Sequence, residues 1–139
     1  MIERGQVKHD SQNIYYRSTI GAAEAGSTLE IGITLKTKED IRQVLLRIWR
    51  EGQGEKLYPL ATADDMGAEE KFYKGKIQLP ESGCLVWYYF IITTVTGTKF
   101  YGNNPEQLGG VGELYDQAPP SYQITVYDAG AKTPDWFKH

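Results

Sequence analysis

The sequence predicts an all-β domain, an immunoglobulin-like sandwich of about seven or eight antiparallel strands. Three observations carry this expectation. Apolar and polar residues alternate with period two in several separate runs, Gly, Pro or acidic residues punctuate the gaps between the runs, and no stretch matches the spacing of an amphipathic helix as well as it matches a strand.

In TLEIGITL, Leu29, Ile31, Ile33 and Leu35 point one way and Thr28, Glu30, Gly32 and Thr34 the other, as in a strand with one face on a core. Thr37 to Asp40 then forms a polar turn. In DIRQVLLRIWR the inward set is Val44, Leu46 and Ile48, which leaves Leu45, Arg47 and Trp49 on the opposite face. A helix is the rival reading for this run, and its charged residues fit the strand template better. EGQGE reads as a turn, LYPL as a short edge strand that tolerates Pro59, and ATADDMGAEE as a loop of small and acidic residues. KFYKGKIQLP alternates again, with Tyr73, Ile77 and Leu79 inward and Lys74, Lys76 and Gln78 outward, before a turn from Pro80 to Gly83. CLVWYYFIITTV is apolar on both faces, so it is expected to be a central strand covered on both sides, with Trp87 and Tyr89 in the core. TGTK makes a tight turn into KFYG, GNNPEQLGGVGELYDQAPP reads as one long loop, and SYQITVYD supplies the last strand.

Composition narrows the function. The chain has 139 residues, close to the size of one domain, with 40% hydrophobic and 24% charged residues. No apolar run approaches the roughly 20 residues of a membrane-spanning helix, and no membrane partner is expected. The N-terminus lacks the pattern of a secretory signal, which favours the cytoplasm over export. With a formal net charge of −3 and Lys and Arg scattered along the chain, nucleic acid is not an expected partner. The lone cysteine, Cys84, opens the most apolar stretch and is read as a small buried hydrophobe. The only histidines, His9 and His139, lie near the two ends, so neither a His-based metal site nor a Ser-His-Asp triad is expected, and no cofactor.

Several segments resemble the N-terminal domain of the neopullulanase, cyclomaltodextrinase and amylopullulanase type enzymes of glycoside hydrolase family 13, an immunoglobulin-like module of the E-set type. IYYRSTIGAAEAGSTLEIGITLKT is similar to its opening strands, VLLRIWREGQGEKLYPL to its second hairpin, and CLVWYYFIITTVTGTKFYGNN to its aromatic central strand. GGVGELYDQAPPSYQITVYDAGAKTPDWFKH resembles its exit, in which Pro134, Asp135, Trp136, Phe137 and Lys138 match the lead-in to a catalytic (β/α)₈ barrel. The resemblance implies a sandwich over residues 1–128, a linker over residues 129–139, and an α-glucan context such as starch, pullulan or cyclodextrin. A barrel takes roughly 250 residues, so no catalysis is expected of this chain alone. The partners implied are an α-glucan oligosaccharide, the enzyme's own barrel, and a second copy in a homodimer.

Sugar rings pack on flat aromatic faces while amides and carboxylates take their hydroxyls. With 3 Trp, 10 Tyr and 4 Phe residues, candidates are plentiful. Trp49 stands out because alternation turns it away from Val44, Leu46 and Ile48, and a sugar platform, a contact with the barrel and ordinary packing all remain open for it. Tyr101, Asn103 and Asn104, a ring followed by two amides on a glycine-flanked turn, form a second candidate, against which stands the habit of Asn in turns to bond its own backbone. Tyr127, Trp136 and Phe137 are candidates for contact with the barrel. Gly109, Gly110 and Gly112 have no strand-then-helix context and make no phosphate cradle. Asp64, Asp65, Glu69 and Glu70 are read as a solvated acidic loop rather than as an acid and base pair or calcium ligands.

Overall fold

A computed structural model describes residues 6–19, 21–38, 40–52, 54–65 and 70–128. Among the described residues eleven strands make two packed sheets: β1 Val7–Lys8, β2 Ala23–Glu24, β3 Thr28–Lys36, β4 Ile41–Arg50, β5 Gly54–Pro59, β6 Ala61–Asp65, β7 Glu70–Gln78, β8 Cys84–Thr94, β9 Gly97–Gly102, β10 Glu113–Tyr115 and β11 Tyr122–Tyr127. No helix occurs among the described residues.

The first sheet runs β1-β3-β7-β6, antiparallel throughout. The second is organised on β8. Val86 to Thr94 pair with β4 on one edge, and β4 pairs with β5 beyond it. Its other edge is divided, since Cys84 to Tyr88 pair with β11 while Phe90 to Thr94 pair with β9. β10 extends the sheet beyond β9, and β2 lies parallel to β11.

Alternation places the core where the sequence predicts. Leu29, Ile31, Ile33 and Leu35 of β3 and Val44, Leu46 and Ile48 of β4 are buried between the sheets, and Tyr122, Ile124 and Val126 of β11, whose inward side the sequence left unassigned, join them. Each such side chain contributes about 1.5–3 kcal/mol through loss of contact with water. Inward residues of β7 are Tyr73 and Ile77, with Leu79 just after it, again as predicted. Phe72 is buried too, because its ring lies against Gly32 on the far face of β3 and stacks on Tyr15 at 4.6 Å. A Cβ on Gly32 would sit 2.3 Å from that ring, which explains a glycine in mid-strand.

Five expectations are corrected. The segment read as an acidic loop opens with β6, whose Ala61 to Asp65 pair with β7, and the long glycine-rich loop contains β10. Gly54 begins a strand rather than sitting within a turn. Cys84 is only partly buried. Trp87 and Tyr89 are half-buried on the outer face of β8, while Val86, Tyr88, Phe90 and Ile92 fill the core. Segments read as loops conceal short strands because backbone pairing, not side-chain pattern, makes them.

His9 lies fully buried between the sheets, and its Nδ1–H donates to the Gly32 carbonyl at 2.7 Å. The Tyr88 hydroxyl donates to Nε2 at 2.8 Å, so the ring is held as the neutral tautomer. Rings of Tyr16, Tyr88, Phe90 and Tyr122 surround it. Beside it the buried Arg17 donates to the carbonyls of Thr19, Gly21 and Gln123. These two side chains bind the N-terminal segment to both sheets.

Burial, reinforced by the Arg17 charge and opposed by the bond to Gly32, lowers the His9 pKa to about 3. The unfolded chain takes up a proton near pH 6.5 and the native state does not, so stability falls as pH drops from 6.5 toward 3, at up to about 1.4 kcal/mol per unit. Urea denaturation at pH 7, 6 and 5 measures this slope. His9→Asn, whose amide can replace the Nδ1 donor, is expected to be less stable at pH 7 and flatter in pH, and equal slopes for the two proteins would refute the buried neutral imidazole.

Candidate functional site

The outer face of the second sheet gathers the aromatic residues that the core does not use. Strand register sets Glu55, Trp49, Trp87 and Gln123 side by side across β5, β4, β8 and β11. The next row is Leu57, Arg47 and Tyr89, and the one beyond it is Pro59, Leu45, Ile91, Phe100 and Tyr115. Neighbours in a row are about 4.8 Å apart and the rows about 6.7 Å apart, as pleated geometry requires. Trp49 is 42% exposed and Leu57 is exposed, while Trp87, Tyr89, Phe100 and Tyr115 are half-buried.

Arg47 is the polar centre of this face. Its Nε donates to Glu55 Oε2 at 2.7 Å, and its guanidinium lies 5.0 Å from the Tyr89 ring centre and 5.6 Å from that of Trp49. Each ring contact contributes about 0.5–1 kcal/mol at such an exposed position. The result is a flat indole bordered by a guanidinium, a carboxylate and, beyond Trp87, the Gln123 amide. This set can stack a ring and hydrogen-bond hydroxyls. Among the described residues no three His, Cys, Asp or Glu side chains cluster as metal ligands.

The second predicted group is placed elsewhere. Tyr101 shares its row with Phe90 on the inner side of the sheet, is 1% exposed, donates to the His9 carbonyl at 3.1 Å and accepts from Gly112 N–H at 2.9 Å. It offers no face to a sugar. Asn103 is buried, its Oδ1 accepting from the N–H groups of Asn104 and Gly109 and its Nδ2 donating to the Ser121 carbonyl. Asn104 bonds Leu108 N–H and the Gly109 carbonyl. Both amides are consumed in bracing residues 103–110, and neither lies beside Trp49. Gly112 belongs to this same bracing, because a Cβ there would meet the Gly102 carbonyl oxygen at 1.9 Å.

Tyr127 is exposed at the end of β11, on the same outer side, opposite Glu24 of β2. Trp136 and Phe137 lie outside the described residues, as does Glu69. Asp64 and Asp65 pair through their backbones with Phe72 and Lys71. Arg47, Glu55, Trp87, Tyr89 and Gln123 were not picked out as site residues from the sequence. Odd-numbered parity with Trp49 marks the first two, but the pairing of β4 with β8 is what brings Trp87 and Tyr89 beside them.

No family model matches the chain. Amylopullulanase of Thermoanaerobacter thermohydrosulfuricus is 32% identical over 136 residues, which are 95% of this chain and 9% of that protein. Amylopullulanase of Thermoanaerobacterium thermosulfurigenes is 31% identical over 133 residues, or 7% of its length. This chain is homologous to a segment of the amylopullulanases.

The chain thus spans no more than a tenth of these two relatives. Among solved structures a cyclomaltodextrinase superposes with a TM-score of 0.61 at 12% identity, over 96% of this chain and 21% of that one, which supports the all-β sandwich. The expected likeness to amylopullulanases is found, and the chain corresponds to a small part of those large proteins.

Asn103→Ala removes the acceptor of two backbone N–H groups and one donor, and is expected to cost about 2 kcal/mol of stability through unsatisfied buried groups. Chemical denaturation checks this, and a loss under about 0.5 kcal/mol, the range of an ordinary surface substitution, would show that the amide does not brace the loop.

Proposed function

We propose that this chain is a non-catalytic accessory domain of an α-glucan-acting glycoside hydrolase and that its outer sheet face engages the glucan. The observation that carries the reading is the row in which Trp49 and Trp87 stand side by side on the solvent face between Glu55 and Gln123. A glucose ring presents C–H groups to an indole and hydroxyls at its rim, and here stacking surface and polar partners occur together. Arg47, fixed by Glu55 and two rings, reaches those hydroxyls without losing much side-chain freedom on binding. The amylopullulanase relatives support the α-glucan context.

A second reading is packing of this face against the enzyme's catalytic domain or a second copy of the chain. Exposed Leu57 and Tyr127 favour it, since Leu57 has nothing to offer a hydroxyl.

Titration of the purified chain with maltoheptaose, followed by tryptophan fluorescence and calorimetry, separates the two. Saturable binding is expected, weakened about tenfold in Trp49→Ala, the equivalent of about 1.4 kcal/mol. Unchanged signals up to millimolar sugar in both proteins would discard the sugar reading and leave the packing one.

A further inference from the structure

A second recess opens on the flank of the sandwich, on the side of β5 that faces away from Trp49. Lys56 and Tyr58 of β5 pair with Ile48 and Leu46, so they share the inward side of the strand. β6 covers the edge of β7 only from Lys71 to Lys74, and beyond it Lys76 and Gln78 face β5 across a gap. The gap has a volume of about 470 Å³, within the size range of small-molecule sites, and its floor carries Leu79 and Pro80.

Its lining is cationic. Arg50, Lys56 and Lys76 meet there, and Glu81 is the one carboxylate among its described lining residues. Tyr58 organises two of the cations: the Arg50 guanidinium donates to its hydroxyl, and Lys56 Nζ lies 5.4 Å from its ring centre. Among the described residues neither Lys56 nor Lys76 forms an ion pair with a carboxylate. Gln78, by contrast, is engaged, donating to the Gly26 carbonyl and accepting from Thr28. Three cations and one carboxylate are among the residues that line the recess, in a chain of net charge −3.

We propose that this recess binds a phosphate monoester, with a sugar phosphate as the fitting class. A monoester carries about −1.5 to −2 at neutral pH and three acceptor oxygens, which suit three cationic donors, whereas a carboxylate offers two acceptors and a single charge. Arg50 and the two lysines supply the donors, and the Tyr58 ring with Leu79 and Pro80 supplies a surface for the group that carries the phosphate. The site does not depend on the glucan reading of the outer face, which lies on the other side of β4 and β5.

The test is calorimetric titration of the full chain at low salt with glucose 6-phosphate, inorganic phosphate and glucose in separate arms. Saturable binding of glucose 6-phosphate is expected, tighter than inorganic phosphate, with none for glucose and with marked weakening as screening increases at higher salt. Lys56→Gln combined with Lys76→Gln changes two exposed side chains and is expected to weaken binding at least tenfold, while Trp49→Ala leaves it unchanged. Equal or weaker binding of glucose 6-phosphate relative to inorganic phosphate would overturn the monoester assignment. Absence of saturable binding, or a double variant that binds like the wild type, would overturn the site altogether.

Discussion

Everything in this domain follows from the way β8 is covered. It is long enough, at 11 residues, for two strands to share one of its edges while β4 occupies the other. Its inner residues Val86, Tyr88, Phe90 and Ile92 meet β3 and β7 across the core, and its outer residues Leu85, Trp87, Tyr89 and Ile91 become the middle of an exposed sheet. A pleated strand cannot bury one of these sets without presenting the other. The same constraint therefore builds the hydrophobic core and exposes the aromatic face.

The inner side also has a polar component. His9, Tyr88, Tyr101, Tyr122 and Arg17 form a connected set of buried groups with partners on the N-terminal segment, β3 and β11. A buried polar group without a partner is costly, so this network favours one register of the N-terminal segment over others. Because that segment adds β1 and the Arg17 bridge to the edge of β3, the network also closes one side of the first sheet. The other flank, between β5 and the lower half of β7, is left open, and there the lining turns cationic.

Alternation was legible wherever a strand has one wet face. Leu29 to Leu35 and Val44 to Ile48 could be assigned to the interior from sequence, and the turning of Trp49 outward followed from the same parity. β8 has no polar face, so parity divided its residues into two sets without saying which set is inside, and Trp87 and Tyr89 were assigned to the wrong one. β6 and β10 escaped notice because backbone pairing to a neighbour creates them and their side chains carry little β signal. Tyr101, Asn103 and Asn104 show the limit for sites. Residue type suggested a sugar contact, but the partners that use up their polar groups, His9, Ser121, Gly109 and Gly112, are distant in sequence or set by the loop's own fold. His9 depends on contacts across tens of residues, and the flank recess on the placing of β5 beside the end of β7.

The two faces of β8 can be read directly by hydroxyl-radical footprinting of the native chain with residue-level mass spectrometry. The account predicts an alternating record, with Trp87 and Tyr89 oxidised and Tyr88 and Phe90 protected until the protein is unfolded. Oxidation of Tyr88 and Phe90 in the native state with Trp87 and Tyr89 spared would invert the sheet and contradict both the core and the face described above.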